Sequence, residues 1–377
     1  MTKKKSVMPV QHGLDIIPDG TLQTLWIEIP GRCDLACPYC FARGGESLDL
    51  DSLINNQTYT KVLEEAKSLG VKSIGIPGAG EPFFGKNREL TMWLLEEITK
   101  FAYATLFTTI AHIDEELADR LAAMAVEIMV KYNSRDPDVQ NAFVSDPSRG
   151  RIITDYAQKR DEVLEMLMEK GFNKPCVTPW GKERETRLAI VTSIMTGLEG
   201  GPSNYDELPD LLRYARKNNI IFDCDAILER GRGATCKLHP GDKMIMDKQL
   251  ELQKIDREEF RREVRIGQGY YGTVCNRHAH HLYVNQYGEI RPCVGAMDVN
   301  LGNIKTTTLA EAWEHPAMVI IRNGIYKGKC GDECDRFAKK ECESCLGRCT
   351  KDLTVDYIMK NGHVKTIGCA FHRPKEK

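Results

Sequence analysis

Three cysteines, Cys33, Cys37 and Cys40, stand at C-x3-C-x2-C in the run GRCDLACPYCFA over residues 31–42. Thiolates at this spacing can wrap one face of a cubane 4Fe–4S cluster, whose four irons are normally each held by a cysteine. The run supplies three ligands, which leaves one iron open for a small molecule. With 14 cysteines in 377 residues, a chance triplet of this spacing arises about 0.02 times per chain. Three buried apolar cysteines, or part of a zinc site, are the alternatives for the same residues.

Eight further cysteines form a second field: Cys275, Cys293, Cys330, Cys334, Cys342, Cys345, Cys349 and Cys369. Two clusters with four cysteine ligands each need eight thiolates. Pairs at C-x2-C also serve zinc ribbons, so zinc is the competing reading. The run HLYVNQYGEIRPC, which ends at Cys293, alternates like a hairpin with Tyr287-Gly288 at its turn. Such a hairpin would bring Cys275 and Cys293 together. Cys176, Cys224 and Cys236 are isolated and read as ordinary thiols. His278, His280 and His281 read as the polar start of a strand.

The elements that must position these residues follow a βα rhythm. Apolar runs at 25–29, 71–77, 102–108, 126–132, 186–195 and 220–227 alternate with helical spacing at 58–69, 90–101, 114–124, 154–170 and 205–217. The first run ends at Pro30-Gly31 and delivers the cysteine loop. The second runs into Gly78-Ala79-Gly80-Glu81-Pro82, where glycines let backbone approach a ligand closely. The third ends in Thr108-Thr109 and the fourth in Asn133-Ser134. This alternation predicts an α/β fold with a parallel sheet, helices outside it, and chemistry at the C-terminal ends of the strands. Residues 172–185 read as a loop insertion holding Trp180. The expected division is an N-terminal extension over 1–23, a core barrel over 24–233, a linker with one helix over 234–268 and a cysteine-rich domain over 269–377.

With an aromatic, Tyr39, before its third cysteine, the first motif resembles the signature of the radical S-adenosylmethionine (SAM) superfamily. GAGEP resembles that superfamily's GGEP-like stretch, with Ala79 in place of one glycine. The cysteine-rich half resembles the SPASM domain in its opening, Cys275 with Gly288-x4-Cys293, and in its close, Cys345-x3-Cys349 with Cys369. The middle, Cys330-x3-Cys334-x7-Cys342-x2-Cys345, departs from the usual spacing.

The resemblance implies a partial (β/α)6 barrel followed by a SPASM-like domain. It implies a SAM-binding 4Fe–4S cluster on Cys33, Cys37 and Cys40 and two auxiliary 4Fe–4S clusters in the second field. Cys275, Cys293 and Cys349 would share one of these, and Cys345 and Cys369 would belong to the other. SAM contacts are implied for Tyr39, for Gly78, Ala79, Gly80, Glu81 and Pro82, and for Thr108 and Ser134. The last two can equally cap the helices that follow. The implied activity is that of an oxidoreductase. SAM is cleaved reductively to a 5′-deoxyadenosyl radical, which abstracts hydrogen from a substrate. A flavodoxin- or ferredoxin-type electron donor is the implied partner.

SPASM relatives mostly modify peptides or protein side chains, and a smaller group oxidises or epimerises sugars and aminocyclitols. The wording Pro38-Tyr39-Cys40-Phe41 looks more like the peptide-modifying members. A non-catalytic iron–sulfur carrier or scaffold is the reading from another class, and it would need neither an open iron nor the GAGEP loop. Asp223, Asp225 and Glu229 are candidates for a deprotonating base, against solvated or ion-paired roles. Arg230 and Arg232 flank Gly231 and could bind a substrate carboxylate or phosphate, or cap the loop.

Composition removes other classes. Hydrophobic content of 42% and charged content of 28% are those of an ordinary globular protein. A net charge of −2 offers no basic stripe for nucleic acid. No window approaches an uninterrupted apolar membrane span, and no apolar segment follows the basic start as in a secretory signal. Many cysteines without an export signal point to metal ligation in a reducing cytoplasm rather than to disulfides. The short N-terminal extension is too small for a built-in leader-peptide-binding module.

Overall fold

Every apolar run of the first half becomes a strand of one sheet. In a computed structural model, β1 (Thr24–Ile27), β2 (Ser73–Ile76), β3 (Tyr103–Thr108) and β4 (Val126–Lys131) lie side by side. β5 (Cys176–Val177) and β6 (Glu183–Arg184) form a separate antiparallel pair within the expected loop insertion. β7 (Leu188–Ser193) and β8 (Ile221–Asp225) then continue the main sheet from β4, with all neighbours parallel. The structure describes residues 18–178, 181, 183–197, 201–262, 277–340, 346, 350, 352–368 and 374–375. Cys275, Cys342, Cys345, Cys349, Cys369 and Trp180 lie outside the described residues.

Strands with helices on one face and barrel interior on the other read as nearly continuous apolar runs. All four residues of β2 and five of the six in β4 are buried. Helices α1 (Asn56–Ser68), α2 (Asn87–Ile98), α3 (Glu115–Ala122), α4 (Pro137–Phe143), α5 (Tyr156–Glu169) and α6 (Leu208–Lys217) connect them. Several start where a polar side chain takes up an otherwise orphaned N–H. Asn55 accepts from the Thr58 amide and Asp114 from the Leu117 amide, each at 2.9 Å. The linker helix is α7 (Asp242–Ile255), and its Gln249 donates to the Cys224 carbonyl on β8 at 3.0 Å.

The hairpin expected inside the cysteine-rich half does form, but it joins the barrel sheet. β9 (His281–Val284) pairs parallel with β1, and β10 (Ile290–Arg291) pairs antiparallel with β9. The sheet therefore has eight strands, in the order β10-β9-β1-β2-β3-β4-β7-β8. The physical reason is the edge of β1, whose unpaired backbone groups accept another strand. Glu28, buried just past β1, locks this seam. Its carboxylate accepts from the Tyr283 hydroxyl and, at 2.9 Å, from the Gln286 amide. Gln286 in turn accepts from the Gly31 amide at 2.8 Å, so the cysteine loop starts from a point fixed to the C-terminal hairpin. Further along, β11 (Tyr326–Gly328) and β12 (Val364–Thr366) pair parallel. The Cys330 amide donates to Thr366 Oγ1 at 3.1 Å. Among the described residues no helix is long and apolar enough to cross a membrane.

Candidate active site at the strand ends

A cavity of about 300 Å³ opens at the C-terminal ends of the barrel strands. Its wall brings together Cys33, Cys37, Tyr39 and Cys40 from the loop after β1, and Gly78, Ala79, Gly80 and Glu81 from the loop after β2. Thr108 from β3, and Asp223 and Asp225 from β8, join them. Trp26, Phe107 and Met129 supply apolar lining from further back along the strands. Trp26 and Phe107 meet edge to face, with ring centroids 5.3 Å apart.

The three thiols carry no disulfide. Among the described residues, no three His, Cys, Asp or Glu side chains converge on a point suited to a single metal ion. Three thiols on one cavity wall supply the ligand count that a 4Fe–4S cluster with one open iron needs. Withdrawal from solvent pushes the Cys37 thiol up to about 12, with Cys40 beside it adding to the rise. Burial pushes Cys33 well up as well. Such thiols become ligands only where the positive charge of a metal offsets their desolvation. The donor set therefore fits an iron–sulfur cluster held by Cys33, Cys37 and Cys40.

The GAGEP loop is clamped against the cysteine loop. The Glu81 amide donates to the Arg32 carbonyl at 2.8 Å. The Asn87 side-chain amide donates to the carbonyls of Pro30 at 2.9 Å and Glu81 at 3.1 Å. A Cβ at Gly80 would sit 2.4 Å from the Pro30 carbonyl and 2.5 Å from that of Arg32, so only glycine fits this crossing. The buried Glu81 carboxylate accepts from Thr108 Oγ1 at 2.5 Å and from the Thr109 amide at 2.8 Å. Burial pushes its carboxyl group up, and these hydrogen bonds pull it back. Thr108 thus serves Glu81 at the cavity wall.

Three expected site residues lie away from the wall. The Pro82 carbonyl accepts from Thr91 Oγ1 of α2 at 2.8 Å. Ser134 is fully buried and its hydroxyl donates to Glu207 at 2.5 Å. Glu229 is exposed, 3.7 Å from His239.

The structure adds residues that sequence reasoning passed over. Lys131, the last residue of β4, lines the cavity and donates to Ser193 Oγ at 2.9 Å. Its ammonium stands 5.1 Å from the Tyr39 ring centroid. Burial pulls its pKa down to about 8, against the opposing pull of Cys37 and of Asp223. A lysine closing the apolar run VEIMVK was the available signal. Asn133 donates to the Tyr39 hydroxyl at 2.7 Å and accepts from the Ser193 amide at 3.0 Å. Asn204 donates to the carbonyls of Asn133 at 2.7 Å and Ser193 at 2.9 Å. This buried amide pair ties Tyr39 to the ends of β4 and β7. In the second field, Cys330 and Cys334 are buried and Cys293 half-buried. Val294, next to Cys293, lines the same cavity.

Comparison with known proteins adds independent findings. The SPASM iron–sulfur cluster-binding domain matches residues 275–350, and a 4Fe-4S single cluster domain matches residues 19–149. The tungsten-containing aldehyde ferredoxin oxidoreductase cofactor-modifying protein of Pyrococcus furiosus is 24% identical over 362 residues, 86% of this chain and 92% of its own. Among solved structures, anSMEcpe with bound AdoMet gives a TM-score of 0.61 at 17% identity, covering 89% of this chain and 94% of that one. Streptococcus suis SuiB bound to precursor peptide SuiA gives a TM-score of 0.63 at 16% identity, covering 94% and 76%. At these identities the two structures establish a shared fold.

Proposed function

We infer that this chain, a radical SAM enzyme with a SPASM extension, oxidises or cross-links a side chain of a peptide or protein. The observation that carries the reading is the shared cavity. One space of about 300 Å³ holds the three-thiol wall, the GAGEP loop, the two β8 carboxylates and Val294 beside Cys293. That volume is at the lower end of ligand pockets, which run to about 1,000 Å³.

When bound, a 4Fe–4S cluster and SAM supply a 5′-deoxyadenosyl radical able to take a hydrogen atom from a carbon centre. The chain's own residues hold the parts in register. Glu81, fixed by Thr108 and Thr109, presents a buried carboxylate edge on the side of the GAGEP loop. Lys131, fixed by Ser193, presents a cation to an anionic group of the ligand. Asp223 and Asp225 stand on the β8 wall, placed to accept the proton that an oxidised substrate releases. Val294 places the Cys293 loop at the same space, which supports electron removal by the second cysteine field. An electron donor of the flavodoxin or ferredoxin type would serve the first field.

SuiB, solved with its precursor peptide, supports a peptide substrate. The P. furiosus relative, named for modifying a cofactor and matching along 86% of this chain, supports a second reading in which the substrate is a small molecule. The test is anaerobic turnover with SAM and dithionite against two sets of substrates. One set is any short peptide encoded beside the gene, and the other is small molecules from the same locus. Loss of two hydrogens from a peptide, with matching 5′-deoxyadenosine, is the expected result. Modification of small molecules alone would overturn the peptide reading.

A further inference from the structure

The loop after β8 packs on the cysteine loop through one side chain. Arg232 Nε donates to the Cys37 carbonyl at 2.9 Å, and Nη2 donates to the Gly44 carbonyl at 3.0 Å. Nη1 donates to Glu46 Oε1 at 2.9 Å. The backbone amide of Arg232 donates to the Cys40 carbonyl at 2.9 Å. All three guanidinium nitrogens and the main chain therefore bind one ten-residue stretch, 37–46. Gly231, at φ +57°, permits the approach, since a Cβ there would lie 2.2 Å from the Phe41 carbonyl oxygen. The neighbouring Arg230 points the other way, with longer contacts to the Gly295 carbonyl at 3.4 Å and Asp298 at 3.5 Å, past Cys293.

We propose that Arg232 is the positioning residue of the first cysteine loop, locking the carbonyls of Cys37, Cys40 and Gly44 to the wall that carries Asp223 and Asp225. The proposal rests on the reading of Cys33, Cys37 and Cys40 as cluster ligands only for its effect on the cluster. The lock itself is a property of the metal-free chain. The planar fork of arginine reaches acceptors in three directions at once, whereas a lysine ammonium on a flexible stem does not reproduce that geometry. The guanidinium also places a fixed positive charge next to the thiolates. Net charge and hydrogen bonding near a cluster set its reduction potential. Arg232 thereby holds the cluster loop in place and makes the cluster easier to reduce. Arg230 and Arg232 together make this loop a strap between the first cysteine loop and the segment after Cys293.

The test uses the full-length chain with Arg232→Gln, Arg232→Lys and Glu46→Gln. In metal-free protein, backbone hydrogen exchange over 37–46 should quicken at least tenfold in Arg232→Gln. Arg232→Lys should fall between it and the wild type, and exchange elsewhere in the barrel should stay unchanged. After anaerobic reconstitution, iron content should hold in Arg232→Lys. The paramagnetic signal that responds to SAM should keep its potential in Arg232→Lys, which retains the charge, and appear only at a more negative potential in Arg232→Gln. A folded Arg232→Gln protein with wild-type exchange over 37–46 overturns the lock. Should Arg232→Gln fail to fold, Glu46→Gln decides: it takes the charge from one acceptor and keeps the guanidinium, and severalfold faster exchange is expected, while unchanged exchange overturns the proposal. If the wild type binds no iron at the first field, the cluster reading fails, and the exchange result still decides the lock.

Discussion

Glu81 has its two carboxylate oxygens taken up by β3, one by the Thr108 hydroxyl and one by the Thr109 amide, in a buried setting. Glu81→Ala leaves both donors unmatched, and stability should fall by about 1–3 kcal/mol, read from the denaturant midpoint. SAM affinity should fall about tenfold or more with iron content unchanged. Unaltered SAM binding would reduce the GAGEP loop to a turn. Lys131 is the other residue with a direct prediction. Among the described residues on the wall the other basic side chain, Arg232, is committed to the cysteine loop, which leaves Lys131 as the cation to test against a ligand. Lys131→Met keeps the apolar stem and removes the charge. It should weaken SAM binding about tenfold while the cluster still assembles, and equal affinity by equilibrium dialysis would remove the residue from the site. Thr108, Tyr39 and the β8 carboxylates were legible because each stands at a strand end or inside a motif. Lys131, Asn133 and Asn204 were not, because a polar residue at a strand end more often caps a helix or meets solvent. Only the fold shows that Lys131 and Asn133 both reach Tyr39 and that Asn204 bonds the Asn133 carbonyl.

At the scale of elements, the six barrel strands were readable because burial on both faces leaves continuous apolar runs between helical spacers. Where the C-terminal hairpin would pair was not readable. HLYV has the pattern of any half-buried strand, and its partner β1 lies some 250 positions away in sequence. That docking carries a pH signature. Burial of His278, just before β9, pulls its pKa down to about 4, and burial pulls that of His281 well below the usual range. Both rings are neutral in the folded chain, whereas an unfolded histidine titrates near 6.5. Their contribution to stability is therefore complete above about pH 6.5. It is lost as the pH falls toward 4, by up to about 1.4 kcal/mol per pH unit for each group. Urea midpoints measured at about pH 7 and about pH 5 should differ accordingly. His278→Phe should flatten part of that slope, and an unchanged slope would mean that His278 accepts a proton in the folded state.

For the whole molecule, one sheet carries both the first cysteine loop and the hairpin that leads to Cys293. The first hangs from the end of β1, Cys293 follows the hairpin paired to that same strand, and Val294 beside it lines the cavity. Three 4Fe–4S clusters require about 12 iron and 12 sulfide per chain. Changing Cys33, Cys37 and Cys40 together to Ala should remove about four irons and leave about eight; stoichiometric zinc in their place would refute the cluster reading of the second field. The same variant provides the most direct test of the central claim. Wild-type protein, reconstituted anaerobically and given SAM and dithionite, should release 5′-deoxyadenosine, whereas the triple variant, still holding its other irons, should release none. Release of 5′-deoxyadenosine by the triple variant at the wild-type rate, or none from a fully iron-loaded wild type, would contradict the account.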